Sequence, residues 1–443
     1  MSGGRRILSG VAVTGLATIA SGEVLVVASG GGGQFTNLQS AVNAAQEGDT
    51  LLVKPGAYST FTIDGESLTV AADTGGPVTV YGTVTVRDLS AGQQVVLSGL
   101  TVTGAITTSM ADAPGAGLVV TGNTGAVRAK DCRFQGAIGY GDGWNGNCCQ
   151  QDHHHWGWEG AIVDANPGGV AFVGCTFVGG RASDGVYYCY CGEGGPGGDA
   201  LRLSGGLAAL YDCDLLGGRG GSSGTLGGDG GAGIRLLASA LCGVFASGST
   251  FQGANGGEAV DWSWAVGGAG GDGVVLGTGT VAQFVECASA GGIGGLSCGH
   301  AFPPGPDGFP QSGSGSAFTF AVPRLALEAP SLVREGVDVP LTIHGRAGDV
   351  VNLYFGTRTA FRATAMWRGV LLARAPFAPG QAHLVGILGP IPASGVLTAS
   401  FQLPPLDPGV EADDWFLQAW RNSPIDGRAL GSFAPVTVVA PEF

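Results

Sequence analysis

The sequence predicts an all-β solenoid of stacked strands, closed at one end by a short helix and followed by a second, sandwich-like β unit. One motif recurs along the chain: Asp131-Cys132-Arg133-Phe134-Gln135-Gly136 returns as Gly174-Cys175-Thr176-Phe177, as Asp212-Cys213-Asp214-Leu215 and, with serine for cysteine, as Gly248-Ser249-Thr250-Phe251. Glu286-Cys287-Ala288 is a worn last copy and Gly99-Leu100-Thr101-Val102 an early one. The step between copies is roughly 32 to 43 residues, the range of repeat architectures that stack one supersecondary unit per repeat. Apolar residues keep a fixed phase within each copy: five before the cysteine position (Val95, Val127, Val170, Ala208, Val244, Ala282), three before it (Leu97, Ala129, Phe172, Leu210, Ala246, Phe284) and two after it (Val102, Phe134, Phe177, Leu215, Phe251). Such alternation turns one set of side chains inward on each strand, and stacking at about 4.8 Å makes each set a buried column. Beyond about residue 322 glycine thins out and short strands separated by turns take over.

Composition bounds what this can be. Of 443 residues, 85 are glycine, 12% are charged and 44% are hydrophobic, which excludes a disordered chain and requires many tight turns or glycine loops. A formal charge of −14, with lysine only at Lys54 and Lys130, argues against nucleic acid and anionic membrane as partners. Arg5 and Arg6 precede an apolar run, Ile7 to Ala20, that reads as a candidate signal peptide over 1–20, too short and glycine-interrupted to span a membrane; secretion or display at the cell surface is the expected location.

Taken in order, Leu38, Ala41, Val42 and Ala45 fall at helical spacing, Thr36 with Gln39 makes a capping box, and Gly48 is a natural stop. Strands follow at Thr50 to Val53, Phe61 to Ile63, Leu68 to Ala71, Val78 to Val86 and Val95 to Val102. The stretch Phe35-x-x-Leu38-Gln39-x-Ala41-Val42-x-Ala44-Ala45-x-x-Gly48-Asp49-x-Leu51-x-Val53-x-Pro55-Gly56-x-Tyr58 resembles the entry motif of the pectin-lyase-like superfamily. That resemblance implies a right-handed parallel β-helix whose helix caps the open end. It says little of activity, because the superfamily holds lyases, hydrolases, esterases, epimerases, tailspikes and adhesins. More loosely, the glycine-rich coils with a β-rich C-terminal unit resemble large secreted proteins of planctomycete-type bacteria. The expected domains are the β-helix over 21–302, a Pro/Gly/Ser linker over 303–321 and a β-sandwich-like domain of immunoglobulin-like size over 322–443.

Long loops leave the same corner of each copy, approximately 136 to 160, 179 to 199, 217 to 232, 253 to 272 and 291 to 316, and loops on a rigid scaffold are where function is expected. Several groups invite chemistry. Asp131, Arg133, Asp212, Asp214 and Glu286 lie at outward positions beside the cysteines, either as ordinary solvated residues or as a catalytic cluster of the kind a polysaccharide lyase uses. Trp144, Trp156, Trp158, Tyr187, Tyr188, Tyr190, Trp262 and Trp264 form either a small satellite core or a surface on which sugar rings stack. Cys148, Cys149, Cys189 and Cys191 are disulfide candidates in an exported chain; His153 and His155 beside them admit zinc or copper, although three adjacent histidines cannot all face one ion. Asp199 and Asp272, and less directly Asp229, fit a Gly-Gly-x-Gly-x-Asp repeat that either binds calcium or makes a tight re-entry turn. No cofactor is required by these patterns, and calcium is the foremost candidate. Cys132, Cys175, Cys213 and Cys287 read as small buried hydrophobes.

The expected function is that of a secreted or surface-held structural or adhesive protein presenting glycine and aromatic loops to polysaccharide or to copies of itself. The alternative is a polysaccharide lyase or glycoside hydrolase, and the sequence leaves enzyme or non-enzyme open.

Overall fold

The computed structural model describes residues 22–105, 115–139, 156–184, 193–239, 242–260, 265–297, 303–363, 369–373, 383–423 and 425–443. The expected signal peptide lies outside them. The chain is nearly all β, with 50% of the described residues in strands and 2% in helix. Among the described residues no helix is long and apolar enough to cross a membrane.

Three parallel ladders carry the repeats. The first is a ten-stranded sheet running from Val24–Val27 through Asp49–Val53, Leu68–Ala72, Gln94–Ser98 and their successors to Ser316–Phe320. The second runs from Leu100–Thr103 through Arg133–Gln135, Thr176–Val178, Asp214–Leu216 and Thr250–Gln252 to Ala288–Ala290. The third runs from Leu118–Thr121 through Ala161–Asp164, Leu201–Leu203, Ile234–Leu236 and Val274–Leu276 to Gln311–Gly313. The last two are joined in one sheet by a long strand, Val78–Arg87, whose first half pairs Leu100–Thr103 and whose second half pairs Leu118–Thr121. Gly82, at φ 116°, lies between the halves. Successive repeats pair in register, Phe134 beside Phe177 and Phe177 beside Leu215, so the columns anticipated from the sequence form one solenoid-like core. Phe134 stacks on Phe177 with ring centroids 5.6 Å apart.

The helix is Leu38–Ala44, with Leu38, Ala41 and Val42 buried. Its cap differs from the capping-box expectation. Asn37 is the N-cap, its side chain accepting from the Ser40 amide at 3.1 Å, while Gln39 reaches across to the Thr62 backbone. The expected strand Val95 to Val102 is two strands, broken at Gly99, where the chain turns from the first ladder into the second.

The range 303–321, expected as a linker, carries the last rung. Gln311–Gly313 and Ser316–Phe320 are the terminal strands of the third and first ladders. There three of the inward columns turn polar, Ser289 following Phe251, Gln311 following Val274 and Thr319 following Phe284, while Ala317 keeps the Ala282 column apolar. Polar terminal repeats oppose end-to-end stacking of a solenoid. Pro303, Pro304, Pro306 and Pro310, which lack a backbone N–H, reinforce this on the final loop.

The C-terminal residues form a three-stranded sheet (Ala326–Glu328, Val339–His344, Val396–Phe401) facing a five-stranded one (Leu332–Arg334, Gly427–Val439, Ala412–Ser423, Val350–Gly356, His383–Pro390) across a shared core that includes Leu341, Ile343, Leu353 and Leu417. The outer face of the larger sheet is also buried. Phe416 and Phe433 of this sheet, with Leu372 of a separate two-stranded sheet, pack on Val96, Ala171, Ala209, Tyr211 and Phe245, which are outward residues of the first ladder. The first ladder is therefore covered on both faces, which is why its strands read Val-Ala-Phe-Val and Ala-Ala-Leu-Tyr rather than alternating with polar residues. Polar pairs cross the same contact: Tyr211 donates to the Val370 carbonyl at 3.4 Å, and Asp414, which also accepts from Thr437 on the neighbouring strand of its own sheet at 2.8 Å, accepts from Thr69.

Beside Asp414, the Asp413 carboxyl is pushed up to about 7 by burial and by the neighbouring acids Asp414 and Asp407. The folded state thus holds a proton that an unfolded aspartate, ionising near 3.9, releases. Stability from this residue is fully present below the unfolded value and is lost as pH rises through about 7. Asp413→Asn is expected to raise the urea midpoint at pH 8 and to change it little at pH 4; an equal shift at both would show that the carboxylate is solvated in the fold.

Candidate functional site

The residue before each cysteine position is at the corner between the first and second ladders. Gly99, Asp131, Gly174, Asp212, Gly248 and Glu286 all have positive φ, between 46° and 72°. Glycine adopts that conformation freely and aspartate better than most, so the backbone selects these residue types. A Cβ on Gly174 would lie 2.7 Å from Asp131 Oδ1, and one on Gly248 would lie 2.4 Å from Asp212 Oδ1. Each acid lies over the glycine of the next rung, which explains their alternation.

These corners face the C-terminal sheets. Asp131 Oδ2 accepts from Ser331 Oγ at 2.5 Å, and Asp212 is ion-paired with Arg324. Burial pushes the Asp212 carboxyl up, and Arg324 opposes that shift. Arg133 and Asp214 lie on the exposed strand face, where Asp214 accepts from Thr250 Oγ1 at 2.7 Å, and Glu286 is an exposed residue of the corner. Along the ladder Arg133 is beside Thr176 and Thr176 beside Asp214. The five residues are thus divided between the corner, where Asp131 and Glu286 are exposed and Asp212 is half-buried, and the strand face, where Arg133 and Asp214 are exposed. They do not converge as a catalytic cluster.

The cysteines among the described residues are free thiols. Cys132, Cys175 and Cys213 are buried, Cys287 is partly so, and each thiol points to a backbone carbonyl, as Cys213 does to Phe172 at 3.5 Å and Tyr211 at 3.3 Å. Burial holds the Cys132 and Cys175 thiols well above their ordinary range, which keeps them protonated and unreactive. Ser249 continues the column, accepting from the Cys213 amide at 3.1 Å.

The loops hold the least anticipated feature. Their outgoing limbs read Gly217-Gly218-Arg219-Gly220-Gly221-Ser222, Gly253-Ala254-Asn255-Gly256-Gly257-Glu258 and Gly291-Gly292-Ile293-Gly294-Gly295-Leu296. The returning limbs read Gly194-Gly195-Pro196-Gly197-Gly198-Asp199, Gly227-Gly228-Asp229-Gly230-Gly231-Ala232 and Gly267-Gly268-Ala269-Gly270-Gly271-Asp272. A period of three without regular helix or strand fits extended polyproline II segments, whose backbone groups are free to bond neighbouring chains. They do so here as a continuous relay. Ala137 donates to Gly115, Trp158 to Ala137, Gly180 to Trp158, Gly198 to Gly180, Gly218 to Gly198, Gly231 to Gly218, Ala254 to Gly231, Gly271 to Ala254, Gly292 to Gly271 and Gly308 to Gly292, all at 2.6 to 3.1 Å. Limbs of the same direction also pair rung to rung, as Gly179 does with Leu216 and Gly217 with Gln252. The glycines face one another and the third residue points out: Arg181, Arg219, Asn255 and Ile293 are exposed in one column. The result is a two-layered glycine slab projecting between the second and third ladders.

The calcium candidates belong to this slab. Asp199 accepts from the Ala232 amide at 2.7 Å and is paired with Arg235 at 2.5 Å. Asp229 accepts from Ala269 at 2.8 Å, and Asp272 from Phe309 at 2.6 Å and from Ser312. Their carboxylates fasten one rung to the next, and among the described residues no three His, Cys, Asp or Glu side chains are grouped to hold an ion. Glu159, paired with Arg202 at 2.8 Å, continues the fastening one rung earlier.

Trp156 is 51% exposed, whereas Trp158 covers Gly115, whose Cβ would lie 2.5 Å from its ring. Trp144, Tyr187, Tyr188, Tyr190, Trp262 and Trp264 lie outside the described residues, as do Cys148, Cys149, Cys189, Cys191, His153 and His155.

No protein-family model matches the chain, and no curated protein matches it. Among solved structures, 26% of the chain is similar to 80% of a superoxide reductase (neelaredoxin) from Ignicoccus hospitalis, at 13% identity and a TM-score of 0.17. At that score the likeness carries no argument about fold, site or activity.

Proposed function

We propose that this is a secreted or cell-surface structural or adhesive protein. Its scaffold is a right-handed parallel β-helix with a β-sandwich-like domain against one wall, and it presents its glycine and aromatic loops to polysaccharide or to copies of itself. The hydrogen-bonded glycine slab carries this reading. A chain that ties the described limbs of these loops together through backbone bonds has built a rigid platform, and rigid platforms lower the ordering cost of binding. The engagement of Asp199, Asp212 and Glu159 in ion pairs favours binding over turnover. The polar last rung points to the loop face, rather than the coil ends, as the place where copies would meet.

The test is retention on immobilised polysaccharides together with product analysis and light scattering. Expected are retention or concentration-dependent assembly without shortening of the polymer, with retention weakened by Trp156→Ala. Depolymerisation that disappears in Asp214→Asn would instead establish the lyase or hydrolase alternative.

A further inference from the structure

A cavity of about 200 Å³ lies where the first ladder meets the hairpin Thr359–Ala363/Val370–Ala373, lined by Gln93, Gln94, Thr124, Arg128, Arg358 and Phe361, with glycine backbone between them. In a chain of net charge −14, its lining holds two arginines and no carboxylate. We propose that this cavity binds a tetrahedral oxyanion, a sulfate group, held chiefly by the Arg358 guanidinium and the Gln94 amide.

The donors come from separate elements: Arg358 from the C-terminal hairpin, Gln94 from a first-ladder strand, and Thr124 with the Gly125 backbone from the turn before the next. Donors arriving from several directions suit four oxygens better than a planar carboxylate, which guanidinium would grip side-on. Gln94 has capacity to spare, since its contacts with Thr357 and Thr359 are long, at 3.4 and 3.5 Å. Arg358 is exposed and has no ion pair among the described residues. Beneath it Arg128 is fully buried, donating to the Val127 and Gly169 carbonyls at 2.8 and 3.0 Å with its guanidinium 5.9 Å from the Phe361 ring. Burial lowers its pKa to about 9, so an anion nearby would steady its charge. The cavity exceeds what one water needs by about an order of magnitude yet is smaller than ordinary small-molecule pockets. It therefore fits a sulfate group together with a small part of whatever carries it.

The inference does not depend on the adhesive reading, because inorganic sulfate alone reports the site. Calorimetric titration with sodium sulfate, against sodium chloride at matched ionic strength, is expected to show saturable binding to the full-length protein. Arg358→Gln should weaken it at least tenfold and Arg358→Lys less, with circular dichroism checking that both variants fold. A sulfated disaccharide binding more tightly than free sulfate, and its desulfated counterpart not at all, would identify a sulfate ester as the source; equal binding of the ion alone would identify free sulfate. No saturable binding, or binding unchanged by Arg358→Gln, overturns the proposal.

Discussion

Gly217→Ala is expected to disrupt the glycine slab and to destabilise the loops on both sides of it. A Cβ at this position would lie 2.0 Å from the Gly231 carbonyl oxygen and 2.6 Å from its carbon. Both are backbone atoms held in the relay, so no side-chain rotation relieves the contact. Every member of the column, Gly136, Gly179, Gly217, Gly253 and Gly291, is glycine. The neighbouring column is less strict, because Ala137 and Ala254 interrupt it, so Gly218→Ala should be milder although its Cβ would meet Gly180 oxygen at 2.0 Å. An added carbon in a packed interior typically costs about 1–3 kcal/mol, and the rigid surroundings of Gly217 place it at or above the upper end. Hydrogen exchange should show lost protection at the amides of Gly198, Gly218 and Gly231, with a lowered melting temperature. Gly30→Ala is the control, since a Cβ there meets nothing within 4 Å. Unchanged protection in Gly217→Ala would mean that the relay does not hold the loops.

Arg421→Met is expected to unfold the C-terminal sheets far more readily. Arg421 is 0% exposed and its partner Asp349 2%, the most deeply buried ion pair among the described residues. Arg421 lies in Ala412–Ser423 and Asp349 immediately before Val350–Gly356, so the pair staples two adjacent strands of the larger sheet. Removing one partner leaves the other charge buried without compensation, which costs about 3–5 kcal/mol. Replacing both, Arg421→Met with Asp349→Leu, should recover most of that loss, because two apolar groups leave no charge to desolvate. Urea unfolding of the single and double variants separates these outcomes. A double variant as unstable as the single would show that packing, rather than the stranded carboxylate, sets the cost.

The sequence by itself determined the columns. Val127, Ala129 and Phe134 recur at fixed phase because a strand alternates its side chains and stacked strands repeat that alternation, so the inward set can be read without coordinates. The capping helix and the buried cysteine column followed from the same kind of local pattern. The glycine slab was also legible: the three-residue period in Gly217 to Ser222 and Gly227 to Ala232 was the signal, hidden by treating glycine as punctuation between strands. The outward position of Asp131 and Asp212 was legible too, but not the positive φ that their corner imposes. Only the tertiary structure decided which surfaces remain open. Ala171, Ala209 and Phe245 became interior because residues more than a hundred positions away cover them, and no local period encodes a contact of that range. The same packing engaged Asp131 with Ser331 and Asp212 with Arg324 and created the cavity beside Arg358, since a surface between two units exists only once both have folded and met.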